Sequence, residues 1–128
     1  LQRLGSLLLE DVGVALPELP TLVSGIARIA TRLATTIAVV AHAGDGNTHP
    51  LIVFDGSDPD ARRRAQQAFD AVMELALSLG GTITGEHGVG RLKKDWLPAA
   101  VGEDVMAVSR RIKAALDPLG ILNPGAIL

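Results

Sequence analysis

Apolar positions recur every three or four residues in three stretches of the chain, which predicts three amphipathic helices. The first covers residues 20–34, and the last runs from Gly102 to Leu116, where Asp117-Pro118 stops it. The side chains that are expected to face inward from these two helices are Leu22, Ile26, Ile29, Leu33, Val105, Val108, Ile112 and Ala115.

The middle helix has the clearest start and end. Asp58 is an expected N-cap, and Pro59 follows it in the first helical position, where its missing N–H costs nothing. Gly80-Gly81 is expected to end the helix. Its inward positions are predicted to be Ala65, Phe69, Val72, Ala76 and Leu79.

Short runs of β-branched and apolar residues predict strands at Ile37–Val40, Leu51–Phe54 and Thr82–Thr84. Residues 1–20 are weakly patterned, and the apolar tail Leu119–Leu128 is expected to pack as an extended segment. The resulting order is helix, strand, strand, helix, strand, helix. This order predicts an α+β fold in which helices cover one face of an antiparallel sheet.

Composition narrows the possible functions. The 128 residues fit one domain, and 48% apolar against 20% charged residues can build a core. The net charge is −2, and the Arg62–Arg64 run lies in a helical pattern, where a solvated face is expected. Two Phe, one Trp and no Tyr leave no platform for base stacking, so a nucleic-acid partner is not expected.

Cysteine is absent, which excludes disulfides, thiolate metal sites and cysteine nucleophiles. No apolar run approaches the ~20 residues that a membrane span needs, and no secretory signal is visible. We therefore expect a cytoplasmic location. The chain opens at Leu1, without methionine and in helix-like sequence, so we expect it to be a fragment of a longer protein.

All three histidines lie in two glycine-rich segments, and the first predicts a hairpin. Asp45-Gly46 between two apolar runs is a strong signal for a two-residue turn. That turn would place His42 directly opposite His49 on one face of the sheet, with Cβ atoms ~5 Å apart, as a natural pair of metal ligands. Pro50 would then pair with Ala41 at a position without hydrogen bonds between the two strands, where its missing N–H costs nothing. Its edge that faces away from the hairpin is expected to be unpaired.

The second segment places Glu86 beside His87 between Gly85 and Gly88. Adjacent strand residues face opposite sides, so both can reach one site only where the chain bends, and the glycines make a bend easy. Two histidines and a glutamate suit zinc with an open position, or manganese or iron. His87 would remain free as a general base.

Other interpretations of these segments stay open. The histidines could be ordinary polar surface, and the glycines could form simple turns or a phosphate cradle, although no GxGxxG or P-loop pattern follows a strand. A His/His/Glu set also occurs in metallohydrolases. A non-catalytic assembly module is a third possibility.

Four motifs together resemble the C-terminal part of the FAD-linked oxidases that include glycolate oxidase flavoprotein subunits, D-lactate dehydrogenases and D-2-hydroxyglutarate dehydrogenases. They are Glu10–Val12, the segment His42–Pro50, the segment Gly85–Gly90 with Lys93, and the closing Asp117–Gly125. They follow the family's order over nearly the whole chain. The two central motifs make the resemblance specific.

The resemblance implies that residues 1–128 form the C-terminal substrate or cap domain, a partial ferredoxin-like α+β domain. The FAD-binding domain, of the vanillyl-alcohol-oxidase type, would precede it and is absent from this sequence. His42, His49 and Glu86 would bind a divalent metal, and His87 would take the substrate's hydroxyl proton while the α-hydride passes to FAD. The resemblance also implies electron-transfer subunits as partners, through which the protein could associate with a membrane.

Some positions refine the implied site. Asn123 is expected near the flavin, and Lys93 is expected to contact substrate or flavin unless it is an ordinary surface lysine. Relatives that act on dicarboxylic hydroxy acids carry a polar residue at the position of Leu51, so this chain resembles those acting on small monocarboxylates such as glycolate or D-lactate. Relatives often have lysine at the position of Ala126, which puts a contact at the end of the chain in doubt.

Overall fold

The computed structural model describes residues 5–128, in two compact units with their boundary along the chain between His87 and Gly88. The first four residues, part of the opening that we expected to be helix-like, lie outside the described part. From residue 5 onward, none of the helices is long and apolar enough to cross a membrane.

The first unit is an antiparallel sheet with two helices. The long central strand pairs with one neighbour along one edge and with two short strands along the other. In chain order the elements are β1 (Ser6–Leu9), β2 (Val12–Gly13), α1 (Leu19–Arg32), β3 (Thr36–His42), β4 (Asn47–Phe54) and α2 (Pro59–Ser78). The α+β prediction is confirmed, whereas the ferredoxin-like assignment stays a prediction.

Strand β4 gives the sheet two different faces, because successive side chains alternate. Thr48, Pro50 and Ile52 are buried on the face that α1 and α2 cover. His49 and Leu51 point to the opposite face, which carries the candidate site. The core between sheet and helices consists mainly of Val12, Leu22, Ile26, Ile29, Ile52, Ala65, Ala68, Phe69, Val72, Met73 and Ala76.

Residues 1–20 contain more structure than their weak pattern indicated. Leu9 pairs with Leu51 and Val12 with Thr48, so β1 and β2 keep one register along β4. The interruption lies opposite Pro50, whose carbonyl accepts from the Glu10 N–H at 3.1 Å but whose nitrogen cannot donate in return. The prediction that the outward side of Pro50 is unpaired was therefore wrong.

The helices of the first unit follow the sequence closely. Leu22, Ile26 and Ile29 of α1 are buried, as predicted from their spacing. Asp58 caps α2, where its carboxylate accepts from the Asp60 N–H at 2.8 Å. The helix ends before Gly80, which adopts φ +69°.

The predicted strand at Thr82–Thr84 is not formed. The chain makes a single antiparallel bridge there, in which Thr82 and Gly13 exchange backbone hydrogen bonds of 2.7 and 3.2 Å. Beyond the bridge the backbone runs through bends at residues 83 and 85–87.

The second unit contains a short 3-10 turn (Lys94–Trp96), α3 (Leu97–Val101) and α4 (Glu103–Leu116). The extent of α4 matches its prediction, but the prediction that its apolar residues face inward was wrong. Val105, Val108 and Ile112 are 50–55% exposed, and Ala115 is exposed as well. Periodic spacing identifies an apolar face but not what covers it.

The tail after α4 does not pack as the predicted extended segment. Leu119 is 80% exposed and Ile121 68% exposed, and the described backbone runs through turns. The turns are organised by Asp117, whose carboxylate accepts from the N–H groups of Ile121 and Leu122 at 3.0 Å each and from the Lys113 ammonium.

Candidate metal centre

The hairpin between β3 and β4 has a longer turn than its Asp-Gly sequence indicates. His42 pairs with Asn47, so the turn contains four residues, 43–46, and the predicted two-residue turn was wrong. The N–H groups of Asp45 and Gly46 both donate to the His42 carbonyl, at 3.2 and 3.1 Å. The Asp45 side chain then accepts from the Asn47 N–H at 2.9 Å.

The two hairpin histidines still share one face of the sheet. His49 lies opposite Val40 rather than opposite His42, so the histidines are diagonal neighbours instead of a direct pair. Their ring centroids are 5.2 Å apart and their planes are nearly perpendicular, at 88°. The predicted juxtaposition is therefore present, although it arises from a different register.

Glu86 completes a three-residue group. Its two carboxylate oxygens lie 3.7 Å from His42 Nε2 and 3.4 Å from His49 Nε2. One donor atom from each of the three residues falls within 4.8 Å of the other two. The histidines come from the hairpin and the glutamate from the bend after Thr82, so the chain brings together the three ligands that the sequence predicted.

These spacings fit a metal ion. Bonds of about 2.1 Å at tetrahedral angles put neighbouring ligand atoms about 3.4 Å apart. The two Glu86 oxygens lie at 3.7 and 3.4 Å from the two histidines, and the set with one atom from each residue spans up to 4.8 Å, so small side-chain movements would close it around an ion. Two imidazoles and a carboxylate also match the donor chemistry of zinc, manganese and iron. The side chains of His42 and Glu86 are 53% and 54% exposed, so the group opens outward and leaves room for further ligands.

His87 lies beside this group rather than within it. Its ring stacks on that of His49, with centroids 5.0 Å apart and planes 24° from parallel. Its Nδ1 lies 3.9 Å from the Asp11 carboxylate, a distance too long for a hydrogen bond. The structure therefore puts the predicted base next to the predicted ligands.

A buried carboxylate that the sequence did not single out shapes the bend. Asp11, which is fully buried, accepts from the consecutive backbone N–H groups of Gly85, Glu86 and His87. The sequence signal was the acidic pair Glu10-Asp11 between the apolar Leu9 and Val12, which we noted only as part of a motif.

An apolar rim borders the group. A shallow depression of about 270 Å³ is lined by His49, Glu86 and His87 together with three aliphatic side chains, Leu9, Val40 and Leu51. Leu9 and Val40 are 46% and 57% exposed. Their position follows from the register, because Leu9 is paired with Leu51, and Val40 with His49, on the same face.

Lys93 and Asn123 belong to the second unit. The Lys93 side chain is 3% exposed, which excludes an ordinary surface lysine. Asn123 is exposed and adopts φ +47°, and its carbonyl accepts from the Ala126 N–H at 3.3 Å. Their contacts with substrate or flavin stay predictions.

Comparison with known proteins identifies the family of the chain. The profile of the family described as "FAD linked oxidases, C-terminal domain" matches residues 1–127. The glycolate oxidase subunit GlcD of Escherichia coli K12 is 44% identical over 84% of this chain and 21% of its own length. The GlcD subunit of Bacillus subtilis is 42% identical over 92% of this chain and 25% of its own length.

A mitochondrial D-lactate dehydrogenase [cytochrome] of Arabidopsis thaliana is 40% identical over 94% of this chain and 21% of its own length. The chain thus spans between a fifth and a quarter of the length of these three relatives. Together with the profile match over almost every residue, these identities show that the chain belongs to the family of FAD-linked oxidases, in which it corresponds to the C-terminal domain.

Proposed function

We propose that this chain supplies the metal-binding and proton-accepting half of the active site of a longer FAD-linked 2-hydroxy-acid dehydrogenase. The observation that carries the proposal is the convergence of His42, His49 and Glu86 within 4.8 Å, with the His87 ring stacked beside them. The family and the names of the relatives support an oxidoreductase over a metallohydrolase or an assembly module.

Two groups bound by the longer protein would supply the remaining chemistry. A divalent ion at the three ligands would polarise the carboxylate and hydroxyl oxygens of the substrate, and FAD would supply the acceptor for a hydride. Zinc, manganese and iron all match the ligand set. FAD itself would be held mainly by the N-terminal domain of that protein.

The role of His87 follows from the balance of the reaction. Oxidation of a 2-hydroxy acid to a 2-oxo acid breaks the O–H bond and the Cα–H bond and forms a C=O bond. FAD would accept the Cα hydrogen with its two electrons, and the hydroxyl proton would go to an imidazole nitrogen of His87. His87 suits this role because its side chain is 39% exposed, so its ring can reach a substrate on the open side.

The rim indicates the substrate class. The side chains that surround the depression, apart from those of the site itself, are the aliphatic Leu9, Val40 and Leu51. An aliphatic surface suits the hydrogen of glycolate or the methyl group of D-lactate. It offers nothing to pair with the second carboxylate of a dicarboxylic acid, whose burial without a partner is costly.

The proposal is tested by flavin reduction in the full-length protein under anaerobic conditions. Glycolate or D-lactate should bleach the flavin rapidly, and Glu86→Gln should slow this step. Outer-shell partners of a metal contribute about 10–100-fold, and a ligand is expected to contribute at least as much. Glu74→Gln, at an exposed position on α2, is the matched control and should reduce at the wild-type rate. Wild-type reduction by Glu86→Gln would contradict the proposal.

A further inference from the structure

We propose that Asp11 is a positioning residue that holds Glu86 and His87 in place before any metal arrives. The inference deepens the proposed function and rests on it for the roles of those two residues. Its hydrogen bonds to the bend come from backbone N–H groups and from the Thr84 hydroxyl, and its carboxylate lies 3.9 Å from His87 Nδ1, so it would act mainly through the backbone of the bend.

The contacts of Asp11 are concentrated on consecutive residues. One carboxylate oxygen, Oδ2, accepts from the N–H groups of Gly85 at 2.6 Å, Glu86 at 2.5 Å and His87 at 2.9 Å. The Thr84 hydroxyl lies 3.2 Å from both carboxylate oxygens. Hydrogen bonds to an ionised acceptor are roughly twice as strong as neutral ones. A fully buried carboxylate needs such bonds, because its burial without them would be costly.

Three successive N–H groups that point at one oxygen define the backbone of the bend. In an extended strand the side chains of Glu86 and His87 would project to opposite sides. In the structure Glu86 lies 3.4 Å from His49 Nε2, and the ring of His87 stacks on the same histidine. The hydrogen bonds to Asp11 therefore explain how the adjacent residues Glu86 and His87 reach one site, which the sequence did not explain.

The sheet in turn fixes Asp11. The strand pairs on either side, Leu9 with Leu51 and Val12 with Thr48, place Asp11 opposite His49 in the same register. Side chains opposite each other share a face, so Asp11 is directed to the face of the site. Asp11 lies in the break between β1 and β2, and its carboxylate accepts from the backbone of the bend.

Hydrogen exchange on the wild-type full-length protein gives a test that needs no variant. If Asp11 holds the bend, the amides of residues 85–87 will be protected in the metal-free protein about as well as in the metal-loaded protein. Exchange in the metal-free protein at the rate of an exposed loop, with protection appearing only on metal addition, would overturn the proposal. The readout is separate from turnover, so protection without metal binding would count against the proposed function alone.

A substitution then links the anchor to catalysis. Asp11→Asn should speed exchange at residues 85–87 by at least about 10-fold, and should lower kcat per bound metal by about 10–100-fold even when metal is in excess. Loss of stability alone would reduce the folded fraction and leave kcat per bound metal unchanged. Asp104→Asn, an exposed carboxyl in the first turn of α4, is the matched control. Wild-type exchange and wild-type kcat per bound metal in Asp11→Asn would overturn the proposal. If Asp11→Asn does not fold, the exchange pattern of the wild type decides.

Discussion

Glycines decide the geometry of this site as much as its ligands do. A Cβ at Gly85 would lie 2.5 Å from the side-chain oxygen of Asn47, closer than real contacts allow. Asn47 is buried, so it has little room to yield. The bend can therefore approach the hairpin at this point because residue 85 has no side chain.

Gly85→Ala is accordingly expected to weaken metal binding by about 10-fold or more, the size of effect that follows when ligand support is lost. Titration of the metal-free full-length protein with zinc or manganese measures it. Gly44→Ala is the control, since a Cβ at Gly44 meets nothing within 4 Å. Equal metal affinity in the two variants would contradict this account of Gly85.

The substrate preference should respond to Leu51. This side chain lies next to His49 on the face of the site and forms part of the apolar rim. Leu51→Arg should shift the ratio of kcat/KM values toward a dicarboxylic 2-hydroxy acid by at least about 10-fold, since a site that pairs a polar group discriminates strongly. Val23→Arg, at an exposed position on α1, is the control. An unchanged ratio in Leu51→Arg would show that the apolar rim does not set the substrate preference.

At the level of helices and strands, features set by local chemistry were predictable and features set by distant contacts were not. The two ends of α2 are predicted by residues next to them in the chain, Asp58 and Pro59 at the start and Gly80 at the end. The Asp45-Gly46 pair led to the wrong prediction of a two-residue turn, because its glycine is required for a different reason. A Cβ at Gly46 would lie 2.0 Å from the Val14 carbonyl, so the glycine permits a close backbone approach rather than a two-residue turn.

The same distinction explains the other errors. Whether Thr82–Thr84 becomes a strand depends on how far it can pair with β2, which spans two residues. The bend that follows depends on Asp11, which lies more than 70 residues earlier in the chain. The composition of the site was thus predictable from its residue types, whereas its register and the buried anchor were not.

The turn after α4 offers a test at this level. The Lys113 ammonium, followed by the N–H groups of Leu122 and Ile121, lowers the pKa of the Asp117 carboxyl below its ordinary value. A lowered folded-state pKa means that the stabilisation is present above the ordinary pKa of Asp, about 3.9, and is lost as the pH falls through the lower folded-state value. The turn should therefore persist in moderately acidic solution.

The pH dependence of the turn is measured by NMR on protein labelled with ¹⁵N at leucine and isoleucine. The amide resonances of Ile121 and Leu122 should shift together on acidification, with a midpoint below the ordinary value for Asp, and the shift should be absent in Asp117→Asn. A midpoint at or above the ordinary value would show that Asp117 does not hold the turn.

As a whole, the chain carries a candidate metal centre whose outer face, with His42, Glu86 and the apolar rim, is exposed. It spans between a fifth and a quarter of the length of the relatives described above. The apolar face of α4 and the rim around the site are both exposed. Large exposed apolar surfaces mark places where other protein or ligand binds, which agrees with the proposed function.

The isolated chain should therefore neither bind FAD tightly nor oxidise hydroxy acids. Its metal site should be only partly occupied, because two of the three ligands, His42 and Glu86, are open to water. Absorbance of the purified chain, dye reduction with glycolate or D-lactate, and metal analysis after dialysis against a chelator measure these properties. A yellow, active chain, or one with stoichiometric zinc or manganese after dialysis, would contradict the expectation.

The division of roles between the ligands and His87 is decided by kcat and metal per protein in three variants of the full-length protein. His42→Ala and His49→Ala should lose both metal and turnover, because an open three-ligand site has little redundancy. His87→Ala should keep its metal and lose about 10²–10⁴-fold in kcat, the usual contribution of a positioned general base. If His87→Ala loses its metal as completely as His42→Ala does, His87 is a ligand and the division of roles is wrong.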